Sequence, residues 1–244
     1  MYRASIAKLS LFLFFFMFNF YSVAQYDLEE AKAHPPWNPR VFDWMEKEYG
    51  KEARGRLEAF YDIAVKYEHV SDEKKLEVVN NYFNDLPYIP DSRHWHKKDY
   101  WALPFETLGT YGGDCEDLAI AKYVALTIMG LDYKKLHLLY VLYLPTQQAH
   151  MVLAYHKHKK DDSLILDSID RLIVKASLRD DLGPVYALND VELLFYKDKR
   201  EIRKGGPGKV SVWKKLVERE HHQDEEIEKF IHGSIHQAHK MITN

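Results

Sequence analysis

At Gly130 the spacing of apolar residues changes. Upstream they recur every three or four residues, the period of a helix; downstream they alternate, the period of a strand. A chain written this way builds helices first and packs a sheet on them afterwards, which is the α+β class. The 244 residues, 46% hydrophobic and 29% charged, suffice for one sizeable domain with its own core.

The helical half is punctuated. Asn38 and Pro39 read as an N-cap and a first helical position, and Gly50 as a stop, with Val41, Trp44, Met45 and Glu48 at helical spacing between them. A second helix is expected over about 52–67, with Leu57, Phe60, Tyr61 and Ala64 on one face. A third is capped by Ser71, carries Leu76, Val79, Phe83 and Leu86 inward, and ends before Pro87 and Pro90. Residues 89–110 read as an aromatic loop: His94-Trp95-His96, Tyr100-Trp101, Pro104-Phe105-Glu106. Such a loop either covers the helices or walls a substrate groove.

Gly112-Gly113 then lead into Asp114-Cys115-Glu116-Asp117, and Leu118, Ala119, Tyr123, Leu126 and Met129 continue at helical spacing. Cys115, the only cysteine, therefore sits at a helix start, where unpaired backbone N–H groups and the positive end of the helix dipole lower a thiol's pKa. Three carboxylates beside the same sulfur act the other way. One of them, Asp114, has a plain use as an N-cap. The remainder suits a hard cation such as Ca²⁺, which takes carboxylate and carbonyl oxygens.

Beyond Gly130, strands are expected over 136–143, 149–155, 163–167, 185–188 and 191–196, with residues 203–208 as a loop. Short turns between consecutive strands predict an antiparallel meander. The tail from 209 is amphipathic, with Ile227, Phe230, Ile231, Ile235, Ala238 and Met241 in one stripe. His232, His236 and His239 share a face of it, as His94/His96 and His156/His158 lie close in sequence. A solvated surface is the default for all of them, because no cysteine partners them and no His-Glu-x-x-His pattern occurs.

A net charge of −3 leaves no basic footprint for nucleic acid. The N-terminus reads as a secretory signal over residues 1–24: Arg3 and Lys8, an apolar run from Leu9 to Tyr21, then Ser22-Val23-Ala24 as the cleavage site. The run is short for a spanning helix, so cleavage before Gln25 with no stable membrane insertion is expected. A lone thiol in an exported chain has no intrachain partner, and its place at a glycine-led helix start favours reactivity.

A cysteine hydrolase needs a base near the sulfur and a group that orients the base. His150 shares a strand face with Val152 and Ala154, and the neighbouring strand ends in Leu166-Asp167. If those strands pair, His150 and Asp167 come side by side, facing Cys115 at the end of the packed helix.

These segments closely resemble the bacterial transglutaminase-like cysteine proteases, whose best-known members are LapG-type periplasmic proteases. The resemblance is carried by 113–117, Lys122-Tyr123, 150–154 and Leu166-Asp167, with 79–84 and 99–102 upstream and 179–186 downstream. It spans roughly 38–213. It implies a papain-like, transglutaminase-type fold at 25–213, with a helical lobe at about 38–86, a catalytic part at about 100–213 and a helical tail at 214–244. It implies Cys115 as nucleophile, His150 as general base and then acid, and Asp167 as the orienting group. Calcium is implied at Asp114 and Glu116, with Asp117 a lesser candidate. The backbone N–H of Cys115 is the expected first oxyanion donor. The implied substrate is a large surface adhesin, cut near its N-terminus at an Ala-rich site so that a biofilm disperses. The implied partner is an inner-membrane LapD-type receptor for cyclic di-GMP that sequesters the protease in the periplasm. Rival readings are a transglutaminase or amidase with the same triad, and a non-catalytic binding module. Two departures stand out: Ser168 replaces the Asn that many relatives carry after the triad Asp, and the tail is long.

Overall fold

The computed structural model describes residues 38–158 and 161–242, with side chains as far as 232. The expected signal segment at 1–24, its cleavage point, and the side chains of Ile235, His236, Ala238, His239 and Met241 lie outside them.

Three helices open the described chain: α1 (Arg40–Tyr49), α2 (Lys51–Lys66) and α3 (Asp72–Asn84). Pro39, expected at the first helical position, occupies the N-cap of α1 instead. Gly50 separates α1 and α2 at φ 93°. Ser71 caps α3, its Oγ accepting from the N–H of Lys74 at 3.3 Å. Val41, Trp44, Met45, Leu57, Phe60, Ala64, Leu76, Val79 and Phe83 are all buried, as their spacing demands.

The aromatic segment is more ordered than a loop. It contains two short helices, α4 (Asp91–His94) and α5 (Pro104–Gly109). Between them Trp101, Ala102 and Leu103 are buried, and the N–H of Ala102 donates to Asp117 at 2.6 Å. The segment thus covers the first turn of the next helix.

That helix is α6 (Cys115–Ile128), and the fold is arranged around it. Leu118, Ala119, Ile120, Ala121, Tyr123, Ala125 and Leu126 are buried on all its sides, so it is a core helix rather than an amphipathic surface one. It packs on α3 and α5 on one side and on strands β1 (Leu136–Tyr143) and β2 (Gln148–Tyr155) on the other. Its C-terminus is closed by buried Lys75 of α3, whose Nζ donates to the carbonyl of Met129 at 2.6 Å, and Gly130 ends it at φ 87°.

The sheet is antiparallel throughout, but it is not the simple meander the turn spacing predicts. With β3 (Leu164–Leu166), β4 (Val174–Lys175), β5 (Leu182–Leu188), β6 (Leu193–Lys197) and β7 (Arg200–Gly205), its order is β4-β3-β2-β1-β5-β6-β7. Two meanders grow outward from β1, because the chain turns back after β4 and lays β5 on the free side of β1. The expected loop at 203–208 is in part β7. Its residues are nearly all exposed and charged, so no alternation marks it; charge on an edge strand blocks further pairing. The tail forms one helix, α7 (Ser211–Ile242), which contacts α1 and buries Trp213, Leu216, Ile227 and Ile231. Its Arg219 donates to the carbonyl of Trp101 and lies over the ring of Tyr100, pinning the aromatic segment from outside.

The loop before Cys115 is held by backbone pairing. The N–H of Ile89 donates to Gly113 at 2.9 Å, and that of Gly113 to Pro87 at 3.3 Å. Gly112 has φ 134°, and a Cβ there would lie 2.4 Å from the carbonyl oxygen of Pro87. Gly112→Ala combines a disallowed backbone with a backbone clash, and we expect a loss of about 3 kcal/mol, hence a melting point lower by roughly 10 °C. A thermal melt within 2 °C of the parent's would refute this.

Candidate active site

The site forms where the start of α6 meets β2 just past the end of β3. In the β2–β3 register Leu153 faces Leu166. Continuing that register puts Asp167 on the face of the sheet that carries His150, and β3 has ended by the level of Met151. The N–H of Met151, which follows His150, donates toward the Cys115 sulfur there. Sulfur and imidazole are therefore attached at adjoining points.

His150 and Asp167 are 4% and 1% exposed. His150 Nε2 lies 2.7 Å from Asp167 Oδ1. A carboxylate accepts, so Nε2 carries the proton and Nδ1 is the ring's acceptor. Tyr143 packs edge-on against the ring. Burial alone would raise the Asp167 carboxyl. The bonds from His150, the N–H of Ile169 and Arg179 more than offset this and hold it down at about 2. The main chain of Asp167 is fixed separately: its carbonyl accepts from Asn84 Nδ2 at 2.8 Å and from Lys122 Nζ at 3.3 Å. Lys122, two turns after Cys115 on α6, is buried, and desolvation pushes its amine down to about 7. Ser168 Oγ, at the departure position, is buried with no hydrogen-bond partner among the described residues.

The surroundings of Cys115 settle the contest between dipole and carboxylates. Burial first, then the negative charge and hydrogen bond of Glu116, then Asp114, push the thiol well above its ordinary value. Its sulfur lies 2.9 Å from Glu116 Oε2, and the Tyr88 hydroxyl reaches it from the residue bridged to Gly113. As the first residue of α6, Cys115 has a backbone N–H without an intrahelical acceptor.

Asp114 sits at the N-cap and Asp117 reaches back to its N–H at 3.3 Å. Asp117 is wholly buried, with its other oxygen on Ala102. Burial, aggravated by neighbouring carboxylates, raises both Asp114 and Asp117 to about 8 and raises Glu116 as well. Asp91 joins them: its N–H donates to Asp114 Oδ2 at 3.3 Å. Ligand atoms of Asp91, Asp114 and Asp117, and of Asp91, Asp99 and Glu116, lie within 4.8 Å of one another. Asp91 Oδ1 and Asp114 Oδ1 are buried without a hydrogen-bond partner among the described residues. Crowded, desolvated carboxylates with orphaned oxygens fit a hard divalent cation, and the all-oxygen set suits Ca²⁺. The sequence does not mark Asp91 and Asp99 as members of this group. Asp91 lies 23 residues from Asp114, and nothing in its spacing marks it.

Among the described residues no helix is long and apolar enough to cross a membrane. The family profile described as bacterial transglutaminase-like cysteine proteinase (BTLCP) matches residues 43–178. Among solved structures, Legionella pneumophila LapG in an EGTA-treated form is 33% identical, with a TM-score of 0.66 over 74% of this chain and 96% of that one. The same protein in a calcium-bound form is 33% identical, with a TM-score of 0.64 over 74% and 97%. No curated protein matches the sequence. The chain belongs to the bacterial transglutaminase-like cysteine proteinases, and it has their fold.

Proposed function

We propose that this cysteine proteinase is a calcium-dependent periplasmic endopeptidase. It cuts a large surface adhesin near its N-terminus at an Ala-rich site, and a LapD-type cyclic di-GMP receptor restrains it. The observation that carries the reading is the buried His150–Asp167 pair, 2.7 Å apart, set beside the backbone N–H that meets the Cys115 sulfur.

In this mechanism His150 Nδ1 takes the proton of Cys115, while Asp167 holds Nε2–H and stabilises the imidazolium. The sulfur attacks the scissile carbonyl, and the developing oxyanion is met by the N–H of Cys115. His150 gives its proton to the leaving amine as the C–N bond breaks, leaving a thioester. It then takes a proton from water as the water attacks, and returns it to the sulfur as the acid product leaves. Asp114 and Glu116 would hold calcium, with Asp91, Asp99 and Asp117 as neighbouring carboxylates. Bound calcium supplies positive charge beside the sulfur, which favours its ionised form.

The test is incubation of the calcium-loaded protein with an adhesin N-terminal fragment and a labelled amine. Two fragments without label support the endopeptidase. Amine incorporation without cleavage would replace it with a transferase using the same residues.

A further inference from the structure

The two oxygens of Asp167 have different partners. Oδ1 accepts from His150 Nε2–H and from the N–H of Ile169 at 2.9 Å. Oδ2 accepts from Arg179 Nη2–H at 2.7 Å. Arg179 lies between the 3₁₀ turn Ala176–Leu178 and β5, and is 4% exposed. Its guanidinium is itself aimed by Asp181, to which Nε and Nη2 donate at 2.8 Å each. Nη1 is buried with no partner among the described residues. The fork is thus placed by two carboxylates and not by its full complement of bonds. A buried ion pair is a poor source of stability, since an apolar replacement often does as well. The consequence of burying this cation falls on the carboxylate it holds.

We propose that Arg179 is a positioning residue for catalysis. It holds Oδ2 so that Oδ1 stays aimed at His150, and its charge limits how strongly Asp167 stabilises the imidazolium. This rests on the reading of Asp167 as the group that orients His150. The charged groups facing Asp167 are His150 from β2, Arg179 and Asp181 from the segment before β5, and Lys122 from α6; Asn84 of α3 is neutral. Guanidinium and imidazolium share one carboxylate. Without the guanidinium, the carboxylate turns more freely about its Cβ–Cγ bond, and its full charge acts on the imidazole, which then binds its proton more tightly.

The experiment uses the full, calcium-loaded chain and an Ala-Ala chloromethyl ketone, which alkylates the cysteine and separates binding (KI) from chemistry (kinact). Arg179→Gln should lower kinact about tenfold with KI within about twofold. In a Cys115→Ala background, ¹⁵N NMR should show the His150 imidazole titrating about one unit higher in the Arg179→Gln chain. A wild-type kinact, or a slower one with an unmoved titration, overturns the proposal. Where glutamine prevents folding, Arg179→Lys serves: it keeps the charge but not the fork, so kinact should fall about threefold at an unchanged titration. A wild-type kinact or a shifted titration in that variant overturns the proposal too. Asp167→Ala, run in parallel, isolates the premise. Wild-type kinact there removes the role of Asp167 itself, whereas a slow Asp167→Ala beside a normal Arg179→Gln removes only the clamp.

Discussion

Cys115→Ala should abolish peptide-bond cleavage, with kcat lower by at least about 10⁴, while the chain stays folded. The size of the effect follows from the arrangement. His150 and Asp167 have nothing to activate without the sulfur, so the three act as a unit and removing one forfeits most of what the set supplies. The fold should survive because the thiol contributes little to packing: its neighbours are the Glu116 carboxylate, the Tyr88 hydroxyl and a backbone N–H. Circular dichroism and a melting point within about 2 °C of the parent's check the second half. Cleavage at even a hundredth of the parent rate would place the nucleophile elsewhere.

Removing calcium should have the next largest effect. The thiol is held well above its ordinary value by burial and by Glu116 and Asp114. Each unit that a cation's charge takes off that value multiplies the thiolate about tenfold, so EGTA should slow cleavage by at least about tenfold. Binding at a hundred times the dissociation constant adds about 2.7 kcal/mol, so chelation should also lower the melting point by roughly 5–10 °C. Asp114→Ala combined with Glu116→Ala should lose both responses. A chelated chain that cleaves at the full rate, or a double variant that still gains stability from calcium, would refute the assignment of that site.

What could be read from the sequence was whatever a local period or a stop signal encodes. The switch at Gly130, the Ser71 cap and the buried face of α3 all followed from spacing. The meeting of His150 with Asp167 followed from strand alternation and one assumed pairing, and the observed register supplies it. Local period is silent where an element is solvated on both faces, so the end of β7 at 203–205 reads as a loop. It is equally silent about where a returning strand docks, so it does not place β5 beside β1. The polar groups that complete the site were hidden for a related reason. Asp91 meets Asp114, and Arg179 meets Asp167, across chain separations that no motif spacing records. Asp117 shows the converse. A lesser ligand candidate by sequence, it lies with Asp91 and Asp114 as expected, but its two oxygens also accept backbone N–H groups that close the loop around the cysteine, which no spacing signals.

The most direct test of the site is the rate at which the same Ala-Ala chloromethyl ketone alkylates Cys115 in the calcium-loaded parent and in His150→Ala. An imidazole that takes the thiol's proton predicts a rate at least about 100-fold lower in the variant, with the label confined to Cys115 in both. Equal rates in the two proteins would mean that the imidazole does not act on that sulfur, and the assignment would fall.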